Sequence, residues 1–206
     1  MNNVLIPKLS KASKMNAKSF SLPVNDEVCK GMRDSKGNIK PVCEGCYAKK
    51  GFYNMPVVKA LREHNLEASK QLDNTFVNSM VEQLKKQEYF RWFDSGDIYS
   101  DKLLARIYWI CKNTPNTKHW IPTKARELFS QELWKDLEAL PNVTVRYSSP
   151  SIIGTYSVNH RSTVVQALHK STKELFYCPA SKQEGKCKNC RACWNDNIKV
   201  VAYLKH

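Results

Sequence analysis

Seven of the eight cysteines fall into two groups: Cys29, Cys43 and Cys46 in "CKGMRDSKGNIKPVCEGC", then Cys178, Cys187, Cys190 and Cys193, the last three within "CKNCRACW". Both stretches are rich in Gly, Pro, Lys and Asn and read as loops. Thiolates gathered in loops are ligands for zinc or for iron–sulfur clusters, and spacing alone separates the two poorly. The four late cysteines suffice to close a tetrahedral zinc site or to ligate every iron of a [4Fe–4S] cluster. Three early cysteines leave one iron of a cubane open, or leave a structural zinc one ligand short. His64 is the candidate for that ligand, although its charged helical surroundings suit a solvated histidine better. The early group therefore favours iron–sulfur over zinc, and the late group stays open between a second cluster and zinc. Cys178 could instead join the early three and close that site. Cys111 shares a helical face with Leu104 and Ile107 in "DKLLARIYWICKN" and reads as a small buried apolar residue.

Composition sets the context for these thiols. A chain of 206 residues, 42% of them hydrophobic, can bury a core without disulfides and fits one domain over residues 1–206. Its start, "MNNVLIPKLSKASK", has no apolar signal core, and no stretch is long and apolar enough to cross a bilayer. These features predict a cytoplasmic protein, and in a reducing compartment grouped cysteines serve metal or redox chemistry.

Hydrophobic periodicity supplies the elements that must position them. Strands are expected at "KSFSLPV", "EYFRWFD", "KHWIPT", "VTVRYSS", "ELFYCPA" and "IKVVAYLKH". Helices are expected at "PVVKALREHNLEASKQL", "NTFVNSMVEQLKK", "SDKLLARIYWICKN" with Ser100 as N-cap, "ELFSQELWKDLEAL" and "RSTVVQALHK". Such alternation predicts an α/β fold with a parallel sheet, open or curled into a partial barrel over residues 17–180, followed by a cysteine-rich segment and last strand over 178–206. No GxGxxG or GxxxxGK[ST] occurs, which leaves dinucleotide and P-loop folds without support. Arg91 and Arg146 stand inside predicted strands, where an apolar interior would reject them; a polar lumen facing a ligand accounts for both, and so does snorkelling at a strand edge. The early cysteines, "DSGDIYS", "TKAR", "SPSIIG" and Cys178 all fall at C-terminal ends of predicted strands, the rim where α/β folds collect chemistry.

With these residues in order, the run "SLPV", "CEGCYAKKG", "FDSGDIYS", "IPTKA" and the C-terminal cysteines resembles the phage family called gene product 88 from about residue 18 onward. More distantly, the layout is similar to the radical S-adenosylmethionine (SAM) superfamily. That resemblance implies a partial (β/α)6 barrel in which Cys29, Cys43 and Cys46 bind a [4Fe–4S] cluster whose open iron takes the amino and carboxylate groups of SAM. It places Ser95, Gly96 and Asp97 near the methionine end. It also implies a 5′-deoxyadenosyl radical enzyme served by an electron donor, with Arg91, Asp94 and Arg146 holding substrate, and an auxiliary cluster or zinc knuckle at the late cysteines. The sequence departs from the superfamily pattern at two points: thirteen residues separate Cys29 from Cys43, and Tyr47 follows the third cysteine where an aromatic usually precedes it. Three converging thiolates tolerate such changes better than a SAM pocket does.

Charge gives a second functional reading. Lys and Arg number 33 against 19 Asp and Glu, a formal charge of +14, and lysines surround the late cysteines. A cationic surface with Trp194 as a stacking residue suits nucleic acid or a phosphorylated substrate, while a merely solvated basic face is the plainer alternative. A non-catalytic, metal-stabilised nucleic-acid-binding accessory protein is therefore the competing expectation, acting in the host cytoplasm if the chain is phage-encoded. Asp94, Asp97 and Asp101 raise a third, two-metal hydrolysis, against the commoner role of aspartates in turns and caps.

Overall fold

The aromatic run "YFRW" alternates partly exposed with buried residues, the pattern of a strand covered on one face more than the other. The computed structural model describes residues 4–205, so the expectations at residues 1–3 and at His206 lie outside the described residues. Ser10–Lys11 (β1), Lys18–Phe20 (β2), Tyr89–Trp92 (β3), Lys118–Thr123 (β4) and Val143–Tyr147 (β5) form one sheet in that order. β1 pairs antiparallel with β2, and β2 through β5 run parallel. The connections carry Pro41–Glu44 (α1), Pro56–Lys70 (α2), Thr75–Leu84 (α3), Asp101–Lys112 (α4) and Gln131–Glu138 (α5). Ser162–Val165 (β6), Leu175–Tyr177 (β7) and Val200–Leu204 (β8) form a second parallel sheet in the order β6-β8-β7. A bridge between Ser148 and Ser162 joins the two sheets.

Local chemistry sets the helix starts. The Ser100 hydroxyl accepts from Leu103 N at 3.2 Å and the Ser130 hydroxyl from Leu133 N at 3.3 Å, each satisfying a donor that the first turn leaves open. Pro56 opens α2, where its missing N–H costs nothing. The helices bury Phe76, Met80, Leu84, Leu104, Ile107, Trp134 and Leu137 against Phe20, Phe90, Trp92, Ile121, Val143 and Val145 of the sheet. On its other face, Trp120 packs with Met15, Ala17, Cys193, Trp194 and Val201. The segment that carries the late cysteines is therefore the cover of that face.

Two expectations are corrected here. Among the described residues the strands form two sheets of five and three, and no six-stranded partial barrel is present. Local periodicity identifies strands but does not reveal which partners they choose. The stretch "RSTVVQALHK", expected as a helix, contributes β6: Thr163, Val164 and Val165 are β-branched and pair with Ala202, Tyr203 and Leu204.

One buried titratable group ties this core to pH. His119 on β4 is 0% exposed. Its Nδ1 accepts from Trp92 Nε1 at 3.3 Å, and its Nε2 donates to Thr114 Oγ1 at 2.9 Å, which in turn donates to Ile110 O at 2.7 Å. That chain of bonds fits a neutral ring, and burial holds its pKa down to about 3. The unfolded value is near 6.5, so this contribution to stability is complete above pH 6.5 and is lost as pH falls toward 3. Between pH 6.5 and 5 the loss is expected to be ~2 kcal/mol, readable by urea unfolding. An equally steep loss in His119→Gln would assign it elsewhere.

Candidate metal centres

Thirteen residues lie between Cys29 and Cys43, and the fold folds them back on themselves. Val28 N donates to Asn25 Oδ1 and Cys29 N to Asn25 O, both at 2.9 Å, which turns the chain into the short helical turn Lys30–Met32. Arg33 and Ile39 then bridge antiparallel, around a tip where Asp34 Oδ1 accepts from Lys36 N and Asn38 N and Gly37 takes φ +83°. Lys40 N returns to Met32 O at 2.8 Å, and α1 follows at once, carrying Cys43. The hairpin thus brings its two cysteine-bearing ends together.

The loop docks on the C-terminal end of β4. Gly31 lies so close to the Lys124 carbonyl and Ala125 N that a Cβ would collide with backbone. Gly31→Ala is therefore expected to push the loop off β4 at a cost of ~1–3 kcal/mol. Its signature would be a lower urea midpoint together with weakened metal uptake at the early cysteines alone.

Electrostatics shows that the early thiols share one neighbourhood. Burial pushes the Cys29 thiol up to about 12, with Asp97, Cys46 and Cys43 adding to the rise and Lys124 opposing it. Cys43 is raised chiefly by burial, with Lys124 opposing and Cys46 and Asp97 adding. The half-buried Lys124 is lowered by burial but raised on balance by Cys43, Asp97, Tyr47 and Cys46. Three thiols around one ammonium form a group that is poorly stable as bare thiolates and well suited to a cation.

Beside it stands a rigid polar network. Asp94 Oδ1 accepts from Arg91 Nη1 at 2.9 Å and Oδ2 from Tyr53 Oη at 2.8 Å, while Tyr47 Oη donates to the Asp94 carbonyl at 2.7 Å. The Arg91 guanidinium lies 4.6 Å from the Trp120 ring centre, and Arg62 lies 4.6 Å from that of Tyr53. Because Tyr47 follows Cys46 directly, these bonds clamp the second half of the cysteine loop to β3.

The turn after β3 is bolted to the end of β2. Gly96 has φ +77°, and a Cβ there would lie 2.6 Å from Leu22 Cβ. Ser95 Oγ donates to Leu22 O at 2.8 Å, and Leu22 N to Ser95 O at 2.9 Å. The buried Asp97 carboxylate accepts from Thr123 Oγ1 at 2.7 Å and from Lys124 N and Ile98 N at 2.8 Å; burial raises its pKa against the pull of Lys124 and these bonds. Asp101 accepts from Ser130 N at 2.7 Å. The three aspartates therefore serve separate partners, and the paired-carboxylate reading finds no shared site.

The late group assembles from three directions. Cys178 leaves β7 with its N–H on Ala202 O at 2.8 Å, Cys187 N binds Lys14 O at 2.7 Å, and Cys190 N binds Cys187 O at 2.9 Å. Cys193 sits in the helical turn Ala192–Trp194, its sulfur 3.2 Å from Tyr203 Oη. All four line one small cavity with Phe176, Ala180 and Val201. Burial pushes Cys193 up to about 12, and it raises Cys187 with Cys178 as the next cause. Cys178 therefore stands with the late group, not with the early three. Cys111 is in the core, as its helical face indicates.

Other expected site residues have different surroundings from those anticipated. Arg146 faces no lumen: it is fully buried, and its guanidinium donates to the carbonyls of Ala192, Asn195 and Ile198 at 2.7–2.9 Å. Trp194 is buried beneath Tyr89 and Trp120, with Nε1 donating to Phe90 O at 2.9 Å, so it offers no exposed stacking face. His64 Nε2 bonds the Ile6 carbonyl at 2.8 Å. Among the described residues no three His, Cys, Asp or Glu side chains are grouped closely enough to hold a single metal ion as they stand. Sequence reasoning gave no role to Tyr53, Arg62 or Lys124, although Lys124 stands inside the flagged "TKAR", and it noted Tyr47 only for its place after the third cysteine.

Fold and sites together define an α/β protein whose mostly parallel sheet carries three free cysteines at its C-terminal edge and four beneath one face. The chain belongs to the gene product 88 family, whose model matches residues 2–196. Neither curated proteins nor solved structures yield a match, and the more distant likeness to the radical SAM superfamily gains no support. Among the described residues no helix is long and apolar enough to cross a membrane.

Proposed function

We propose that this phage-type protein is an iron–sulfur protein in which Cys29, Cys43 and Cys46 hold a redox-active [4Fe–4S] cluster and Cys178, Cys187, Cys190 and Cys193 hold a second metal, as a cluster or as zinc. The observation that carries this reading is the sorting of seven unpaired cysteines into two separate groups, with the eighth left in the core. A cubane on three thiolates would supply one-electron chemistry and an iron open to an outside ligand. The chain's own contribution is to hold the thiolates at the end of the sheet, to offset their charge with Lys124, and to fix the loop through Tyr47, Asp94 and Arg91.

SAM fits less well. The groups of Ser95, Gly96 and Asp97 expected to meet it are engaged with Leu22, Thr123, Lys124 and Ile98. A redox or radical enzyme acting on a nucleotide or nucleic acid in the host cytoplasm, served by an electron donor, remains the reading of choice; the +14 charge supports that substrate class. The same charge favours the second reading, a non-catalytic nucleic-acid-binding accessory protein stapled by metal, whose affinity would fall steeply with salt.

The test is the iron, acid-labile sulfide and zinc content of protein purified without oxygen. About four or eight irons with matching sulfide would support the cluster reading. Zinc alone at both groups would overturn it and favour the accessory role.

A further inference from the structure

At the opposite end of the sheet from the early cysteines, a groove of about 600 Å³ opens between the start of β3, β4 and β5 and the late cysteine segment. Its size falls in the range of small-molecule sites, ~300–1,000 Å³. Two cations stand over one ring there: Lys118 Nζ lies 5.8 Å and Arg191 Cζ 5.0 Å from the Tyr89 ring centre. Neither forms an ion pair among the described residues. The carboxylate in the wall, Asp196, is taken by Arg161 at 2.8 Å. Two like charges brought to one ring, with the carboxylate of the groove wall already committed, repel one another until an anion arrives.

Beyond the cations the lining takes in Thr144 and the half-buried Phe176, with Trp194 largely covered, an apolar wall that an inorganic ion alone would not fill. Cys190 lines both this groove and the cavity of the late cysteines, so an occupant would touch the outer side of that centre.

We propose that this groove binds a small phosphorylated molecule of mononucleotide size, with a phosphomonoester at Lys118 and Arg191 and its organic part against Phe176. A phosphomonoester carries close to two negative charges at neutral pH and matches two uncompensated cations better than a carboxylate does, and guanidinium binds phosphate oxygens in a two-pronged fashion. The site does not depend on which metal the late cysteines hold.

Calorimetric titration of the anaerobically purified protein with AMP, adenosine and inorganic phosphate tests this at low salt. AMP is expected to bind at least tenfold more tightly than adenosine, and inorganic phosphate to compete with it. Lys118→Glu, at an exposed position that leaves the core intact, should weaken AMP at least tenfold with metal content unchanged; Arg191→Gln should do the same. AMP binding no tighter than adenosine, or unaltered by Lys118→Glu, would overturn the site. So would binding confined to single-stranded oligonucleotides, which would make the groove a track for a polymer.

Discussion

Arg146→Met is expected to lower stability by ~2–4 kcal/mol, from buried carbonyls left without a donor at about 1–3 kcal/mol each. The side chain is fully buried, and its guanidinium fans across the late segment. It donates to Ile198 O and Asn195 O at 2.7 Å, Ala192 O at 2.9 Å and Cys193 O at 3.3 Å, with Arg161 O and Lys199 O at 3.4 Å. Ala192 O, Asn195 O and Arg161 O also accept from the backbone N–H groups of Asn195, Ile198 and Val201, and Lys199 O accepts from Arg161 Nε, which leaves Ile198 O and Cys193 O most dependent on the guanidinium among the described residues. Methionine fills the volume and donates nothing, so Ile198 O and Cys193 O would lose their donor and the other four carbonyls would lose one of two. Lysine has three donors on one atom and cannot span six carbonyls, so Arg146→Lys should recover only part of the loss. Urea unfolding measures both, and metal analysis should show the late cysteines affected before the early ones. A methionine variant as stable as the parent would refute the anchoring role.

The anomaly at Arg146 was legible in the sequence, since a basic residue between Val145 and Tyr147 has no place in an ordinary strand. What it touches was not, because its partners lie 15 to 53 positions further on. The same divide runs through the fold. Ser100 and Pro56 mark helix starts through chemistry within a single turn, and the structure keeps both, whereas the helix expected from Glu127 begins only at Gln131, behind Ser130. The grouping of strands into two sheets depends on β8 inserting between β6 and β7, a choice that no local pattern encodes. Cysteine spacing revealed the two groups, yet the allegiance of Cys178 follows from the pairing of β7 with β8. Arg91 stands out in the sequence as a residue facing a ligand or a strand edge; its contacts with Trp120 and Asp94, which hold the cysteine loop, depend on residues 3 and 29 positions away. Lys124 stands inside "TKAR", a stretch its strand-end position singles out, but a lysine there carries no signal of its own until the cysteine loop is seen to dock on it.

Lys124 also sets the second large effect. Cys43→Ala is expected to abolish cluster assembly at the early centre, removing about four irons and four sulfides while leaving the late group's metal in place, because two thiolates do not hold a cubane stably. The proton balance follows from the raised thiols. Cys29, at about 12 in the metal-free protein, is protonated at neutral pH, so loading must release its proton and affinity should rise with pH, by up to tenfold per unit for each proton released. The same shift acts on stability without metal: the unfolded thiol ionises near 9 and the folded one near 12, so the metal-free protein loses stability as pH rises through that window. Lys124 lowers the thiol pKa values and opposes accumulated negative charge. Lys124→Met should therefore weaken loading, and in the loaded protein it should move the reduction potential of the early cluster downward, since an added electron loses its nearest cation. A redox titration followed by electron paramagnetic resonance reads that shift separately from iron content. A potential unmoved in Lys124→Met, with iron intact, would show that the ammonium serves the loop and not the cluster; a Cys43→Ala protein that keeps all its iron would place the cluster elsewhere.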